Sequence, residues 1–255
     1  MNYLLADEQA PSLGEIMKEG VMPEGFNVAG INISPGIVSA IIVAGVLLLA
    51  AALIRIFWIP RFKMVPGKAQ ALLEKIVEFF HGMARDNSPH RNGFLGAYAF
   101  CAGLYIFFGT LFELLGLQIV ADGKVITLPA VHSDINGCIA IALFSFGVIL
   151  VGAVRANRGY GLAQALIDFS LPISMSLRLF GAMLSGLMVT ELIYYVKFLY
   201  FSIALPTVVG VLFTLLHAIV QTFVLTMLTT IFYGEKTEPH VKKPRAKKAR
   251  KAQQS

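Results

Sequence analysis

Ser174-Met-Ser-Leu-Arg-Leu-Phe-Gly-Ala-Met-Leu-Ser-Gly186 decides how this chain is read, because a single charged side chain, Arg178, stands in the middle of an otherwise apolar, small-residue run. An arginine at the centre of a bilayer costs from about 3 to about 17 kcal/mol, depending on whether insertion or simulation sets the scale. Its guanidinium releases no proton at any accessible pH. It is therefore unsuited to relaying protons and well suited to act as a fixed positive barrier that another group's carboxylate must pass. The residue points to ion translocation.

The rest of the composition agrees with a membrane setting. Hydrophobic residues make up 56% of the 255 and charged residues 14%, with a mean hydropathy of +0.72, far from the values of a soluble domain. An all-α membrane protein is expected, with five spans at about 36–58, 97–119, 137–154, 162–200 and 202–233. The last two exceed the roughly 20 residues that cross a bilayer upright, so they read as a long tilted hairpin. Cys101 and Cys138 both lie in apolar runs without metal-ligand spacing and read as small buried hydrophobes. The N-terminal residues show no basic flank or apolar core of signal length, so neither a secretory signal nor a transit peptide is read there.

Lysine and arginine set the orientation. With residues 1–34 outside, Arg55, Arg61, Lys63, Lys68, Lys75, Arg85, Arg91, Arg155, Arg158 and eight residues from Lys236 to Lys251 fall inside, while Lys18, Lys124 and Lys197 fall outside. The bias of 17 to 3 selects N-out and C-in. Residues 67–85 place Leu72, Ile76, Phe79, Phe80 and Met83 on one face of a helix, with Lys68, Lys75, Glu78 and Arg85 elsewhere, the pattern of a helix lying in the inner interface. The segment 236–255, rich in lysine and poor in apolar residues, reads as a disordered inner tail that anchors on anionic lipid rather than on nucleic acid.

At 100° per residue, Ser174, Met175, Gly181, Ala182, Ser185 and Val189 share the face of Arg178. Small side chains there let a second helix approach closely. That packing explains the serines and Gly181 and leaves the arginine without a reason. Asp168 lies roughly 15 Å before Arg178 and Glu191 roughly 20 Å after it along a helix, one toward the inside and one toward the outside. An acid on each side of one cation suggests two water-accessible paths that do not meet. Glu113, Asp134 and Asn136 add polarity at the outer side, and Glu113 reads equally as a structural acid. The last span carries Thr214, His217 and Gln221 on one face. If it folds back antiparallel on the preceding helix, Gln221 sits across from Arg178 and His217 one turn outward, near Ala182.

Ser174-Met-Ser-Leu-Arg-Leu-Phe-Gly-Ala-Met183 resembles the signature of subunit a of the F-type ATP synthase, usually S-x-x-L-R-L-F-G-N-M. Weaker matches follow in order along the chain: Pro66-Gly-Lys-Ala-Gln70 with Glu74, Glu113-Leu-Leu-Gly-Leu117, Ser133-Asp-Ile-Asn136, and Gln221. The resemblance implies a stator subunit, not an enzyme on its own, that holds a tilted hairpin against a rotating ring of c subunits, each with one membrane-embedded carboxylate. It implies Arg178 as the barrier, Gln221 as its partner across the hairpin, two half-channels, coupling of H⁺ or Na⁺ flow to ATP synthesis, and peripheral-stalk subunit b and other ATP synthase subunits as partners. No cofactor and no metal are implied. A bacterial inner membrane is expected, with the mitochondrial inner membrane as the alternative.

Three positions depart from the usual pattern. Ala182 replaces an asparagine, Leu187 an acid or histidine, and Gln164 an acid. Glu191 and Asp168 each sit one turn later on much the same face, so the acids read as having moved along their helix, with His217 supplying the polarity lost at Ala182. A membrane enzyme would need a His-rich cluster, a paired Asp motif or metal-ligand spacing, none of which stands in the sequence. A solute carrier would show repeated halves with broken helices, also lacking.

Overall fold

The computed structural model describes residues 26–28, 31–121, 124–195 and 204–239. Six helices carry the architecture: α1 (Pro35–Leu53), α2 (Lys68–Asn87), α3 (Gly93–Leu111), α4 (Ile135–Ile167), α5 (Ser170–Tyr195) and α6 (Ala204–Thr237). Among the described residues, four helical stretches are long and apolar enough to cross a membrane: Pro35–Arg61, Gly93–Leu111, Ile135–Ile167 and Gly210–Thr237. The all-α membrane class read from the sequence is the class found. Two short antiparallel ribbons accompany the helices, β1 (Phe26–Val28) with β2 (Ile31–Ile33) and β3 (Gln118–Ala121) with β4 (Lys124–Thr127). The second follows from the β-branched pairs Ile119-Val120 and Val125-Ile126 on either side of Asp122-Gly123, a sequence that favours hairpins.

Helix ends follow local chemistry. Pro35 opens α1, where its missing N–H costs nothing, and the helix loosens through a π turn (Ile54–Trp58) and a 3₁₀ turn (Ile59–Arg61) before Phe62 becomes extended. Asp134 caps α4 by accepting from the Asn136 N–H at 2.9 Å. The helix then runs on to Ile167 through a kink at Arg158, well beyond the expected end at 154. A tight turn at Asp168 and Phe169 separates it from α5, with the Leu171 N–H bonded to the Asp168 carbonyl at 2.9 Å. α6 continues through Thr237, two residues into the segment read as tail; the remainder of that tail, 240–255, lies outside the described residues.

The helices meet in three apolar layers. Toward the expected inner side, Ala84, Leu95, Tyr98, Ile149 and Tyr233 join α2, α3, α4 and α6. At mid-depth Ile106, Cys138, Ala142, Met175, Leu179 and Leu225 join α3 to α6. At the outer end Val43, Phe112, Leu128 and Val131 bring in α1. Cys138 is buried as expected, but Cys101 is exposed; it points away from α3's neighbours, where the surrounding apolar phase suits it as well as a core does.

α6 is central, packing on α2, α3, α4 and α5, and its buried face is built of threonines. Thr226 donates to the Thr222 carbonyl at 2.7 Å, Thr229 to Leu225 at 2.8 Å and Thr237 to Tyr233 at 2.7 Å. Each hydroxyl is satisfied within its own helix, so a small polar side chain can face a close neighbour without an unpaired group. The closest approach is at Gly234, where an added Cβ would stand 2.0 Å from the Asn87 carbonyl oxygen. The amphipathic α2 rests on this end through buried Phe80, Met83 and Ala84, while Leu72 and Phe79 stay exposed, as suits a helix at an interface.

Candidate ion-translocation site

α5 presents two unlike faces. Met175, Ser176 and Leu179 point into the bundle, Leu179 being completely buried, and the Ser176 hydroxyl donates to the Pro172 carbonyl at 2.7 Å. Ser174, Arg178, Gly181 and Ser185 lie on the uncovered side, with Ala182 half-buried between. A Cβ added at Gly181 would meet nothing within 4 Å. Met175, counted on the arginine's face from the sequence, turns inward because a three-residue step leaves it about 60° off that face. The side chain of Val189 lies outside the described residues. Among the described residues Arg178 makes no ion pair, so its charge stands on a surface of small residues that this chain leaves open.

The hairpin of α5 and α6 is held close by Gly186, where an added Cβ would lie 2.6 Å from the ring of Phe213. Phe213 in turn stacks on His217, centroids 6.1 Å apart. Counted residue for residue along two antiparallel helices, that contact puts His217 level with Ala182 and Gln221 level with Arg178. Gln221 is buried, and its Nε2 has no hydrogen-bond partner among the described residues; neither has Nε2 of His217. Unpaired buried amide and imidazole groups cost about 1–3 kcal/mol each, a cost that water in the same space removes.

The other residues singled out from the sequence are placed apart from Arg178. Asp134 is buried at the outer end, where Oδ2 accepts from the Ser34 hydroxyl at 2.6 Å and Oδ1 from the Asn136 backbone and side-chain nitrogens at 2.9 and 3.1 Å. It thereby fastens the start of α1 to the start of α4, and Asn136 is exposed beside it. Asp168, at the opposite end, forms an ion pair with Lys236 of α6, whose ammonium also meets Glu235 at 3.0 Å. Glu113 lies on the 3₁₀ turn after α3 and Glu191 in the last turns of α5; their side chains lie outside the described residues. No group of three metal-ligating side chains occurs among the described residues.

One residue near this site escaped sequence reading. His132 is 1% exposed, and neither ring nitrogen has a partner among the described residues. Burial, with a smaller push from the His217 imidazole, lowers its pKa to about 4, which keeps it neutral at physiological pH. The signal was the apolar character of its loop: Leu128, Ala130 and Val131 are all buried, unusual for a connection at a membrane surface.

The fold and this site together define a multi-pass helical membrane protein whose distinguishing feature is an arginine, without an ion pair among the described residues, on an open, small-residue helix face. A family model described as ATP synthase A chain matches residues 37–234, and the chain belongs to that family. It is similar to ATP synthase subunit a of Blochmanniella floridana, 29% identical over 198 residues covering 67% of this chain and 72% of the relative. It is also similar to the subunit a proteins of Stutzerimonas stutzeri, 26% identical over 202 residues, 69% of each chain, and Shewanella halifaxensis, 24% identical over 203 residues, 69% of this chain and 72% of the relative. The chain is thus a membrane component of ATP synthase, of the family that serves ion translocation.

Proposed function

We propose that this chain forms two half-channels against a ring of c subunits and couples H⁺ or Na⁺ flow to rotation and ATP synthesis. The observation that carries the reading is Arg178, a fixed charge on the open face of α5 that it shares with the small residues Ser174, Gly181, Ala182 and Ser185. A ring carboxylate that comes within about 6 Å of the guanidinium is favoured in its charged form, since a nearby cation lowers its pKa. It therefore gives its proton to one half-channel before passing. Beyond the arginine an unpaired carboxylate facing lipid is costly, so the other half-channel reloads it. The two paths stay separate because the guanidinium never yields its proton.

Gln221, level with Arg178 across the hairpin, offers its amide oxygen to the guanidinium, which limits the positions the arginine adopts, and its amide N–H to a passing carboxylate. His217 and Glu191 serve the outer path, with Glu113, Asp134 and Asn136 toward its mouth, and Asp168 the inner path. Partners are the c ring, peripheral-stalk subunit b and the bilayer. The bacterial relatives favour a bacterial inner membrane. Replacing Arg178 by alanine in the assembled complex is expected to abolish ATP synthesis and ATP-driven proton pumping in inverted vesicles while ATP hydrolysis by the catalytic heads persists; undiminished coupled synthesis would refute the reading.

A further inference from the structure

His132 has no place in the mechanism above, and its surroundings are built rather than accidental. The loop that carries it is pinned from both sides: the Val131 N–H donates to the Gly109 carbonyl at 3.1 Å, and the Cys138 thiol donates to the His132 carbonyl, also at 3.1 Å. Those bonds turn the imidazole inward against α3. It meets the edge of Tyr105 at a centroid distance of 6.0 Å, and a Cβ added at Gly109 would lie 3.1 Å from its Cε1. Of the titratable groups around it, Tyr105 comes from α3, Asp134 and Cys138 from the start of α4, and His217 from α6. The Asp134 carboxylate is already engaged by Ser34 and Asn136, and Cys138 spends its proton on the loop carbonyl. His217 is the neighbour left with a free ring nitrogen: counted antiparallel from the bond of the Thr222 hydroxyl to the Gly103 carbonyl at 3.5 Å, it stands level with Phe108, beside the Gly109 against which the His132 ring lies.

A buried imidazole and a half-buried one, each with an unengaged buried nitrogen, are what a proton relay needs and what a structural histidine avoids. A neutral imidazole has one nitrogen that accepts and one that donates. We propose that His132 and His217 form a two-imidazole relay in the outer half-path, which carries protons, not sodium ions, from the level of Asp134 to the level of Ala182. In the step, water delivers a proton to the bare nitrogen of His132, and the N–H on the opposite side of the ring releases its own proton, through water, to the bare nitrogen of His217. His217 releases its N–H proton in turn toward the ring carboxylate. One proton enters and one leaves. Each ring is left as the other tautomer and is reset by turning over. The inference rests on the stator reading above and adds a residue and an ion to it.

The test uses the assembled complex in inverted vesicles, with passive proton flux measured after removal of the catalytic heads and compared among wild type, His132→Ala, His132→Gln and Arg178→Ala. A relay predicts passive flux lowered about a hundredfold or more in both His132 variants, the low end for a positioned proton-transfer group. It also predicts that millimolar free imidazole restores flux in His132→Ala and leaves wild type unchanged, and that flux is independent of Na⁺. Wild-type flux in His132→Gln, or a loss in His132→Ala that imidazole does not restore, overturns the relay, since a residue that only packs tolerates the polar isostere and gains nothing from a diffusible base. If His132→Ala fails to assemble, His132→Gln alone decides. The stator reading fails separately, through retained coupling in Arg178→Ala, whatever the His132 variants do.

Discussion

At the scale of single residues, the chain separates charges that function must keep from charges that folding consumes. Arg178 was legible without a structure because no fold requires a guanidinium in an apolar run. Asp168 looked like its inner counterpart from spacing alone, and it has a partner 68 residues away, Lys236, that no local pattern announces. Glu191 and His217 are the residues on which the proposed outer path turns. Proton transport in Glu191→Gln and His217→Ala vesicles is expected to fall by about a hundredfold or more in each, as for loss of a positioned proton-transfer group. Full flux in both would remove them from the path. His132 was invisible for the opposite reason to Arg178: a histidine between Val131 and Ser133 reads as loop until the apolar residues before it are seen to be buried.

At the scale of elements, α4 and α6 hold the hairpin's inner end in place, and each has a feature that mutation can address. Arg158 lies inside α4 at φ 50°, ψ −129°, a conformation that costs a side-chain-bearing residue on the order of 1–3 kcal/mol and glycine little. Arg158→Gly is therefore expected to raise the thermal midpoint of the detergent-solubilised complex, by about 1 kcal/mol of stability, and Arg158→Val to lower it. Apolar periodicity found the helices on both sides of this kink but not their continuity, because hydropathy dips through Arg155-Ala-Asn-Arg-Gly159 while the backbone stays largely helical. The ion pair between Asp168 and Lys236 joins the α4–α5 turn to the end of α6. Its ammonium is 4% exposed and its carboxylate 34%. Asp168→Ala leaves that ammonium with Glu235 alone, at an expected loss of about 1–3 kcal/mol, below the cost of breaking a fully buried pair. Combining Asp168→Lys with Lys236→Asp is expected to recover stability. If proton flux stays low in the swapped variant after stability has returned, the carboxylate serves the inner path as well as the clasp; if flux returns too, it serves the clasp alone.

At the scale of the whole molecule, uneven covering is itself informative. α1 leaves Ile41, Val46, Leu48 and Leu49 exposed and touches the bundle mainly through α3, as suits a helix surrounded by lipid on most sides. The open face of α5 is different, since it carries small and charged groups that lipid does not satisfy. A bilayer can cover the first surface, whereas the second calls for a protein partner that brings its own carboxylates. Which way the assembly faces follows from the 17-to-3 distribution of lysine and arginine, counted mostly in short connections where the positive-inside rule applies. Trypsin added to inside-out vesicles is therefore expected to shorten the chain by cutting within Lys242–Lys251, and to leave that segment intact when added to right-side-out vesicles, as read by an antibody against residues 252–255. Cutting at Lys124 or Lys197 is expected only from the right-side-out face. The reverse pattern would exchange the inner and outer paths, giving Asp168 the role assigned to Glu191 and placing His132 and His217 on the side to which protons are delivered during synthesis.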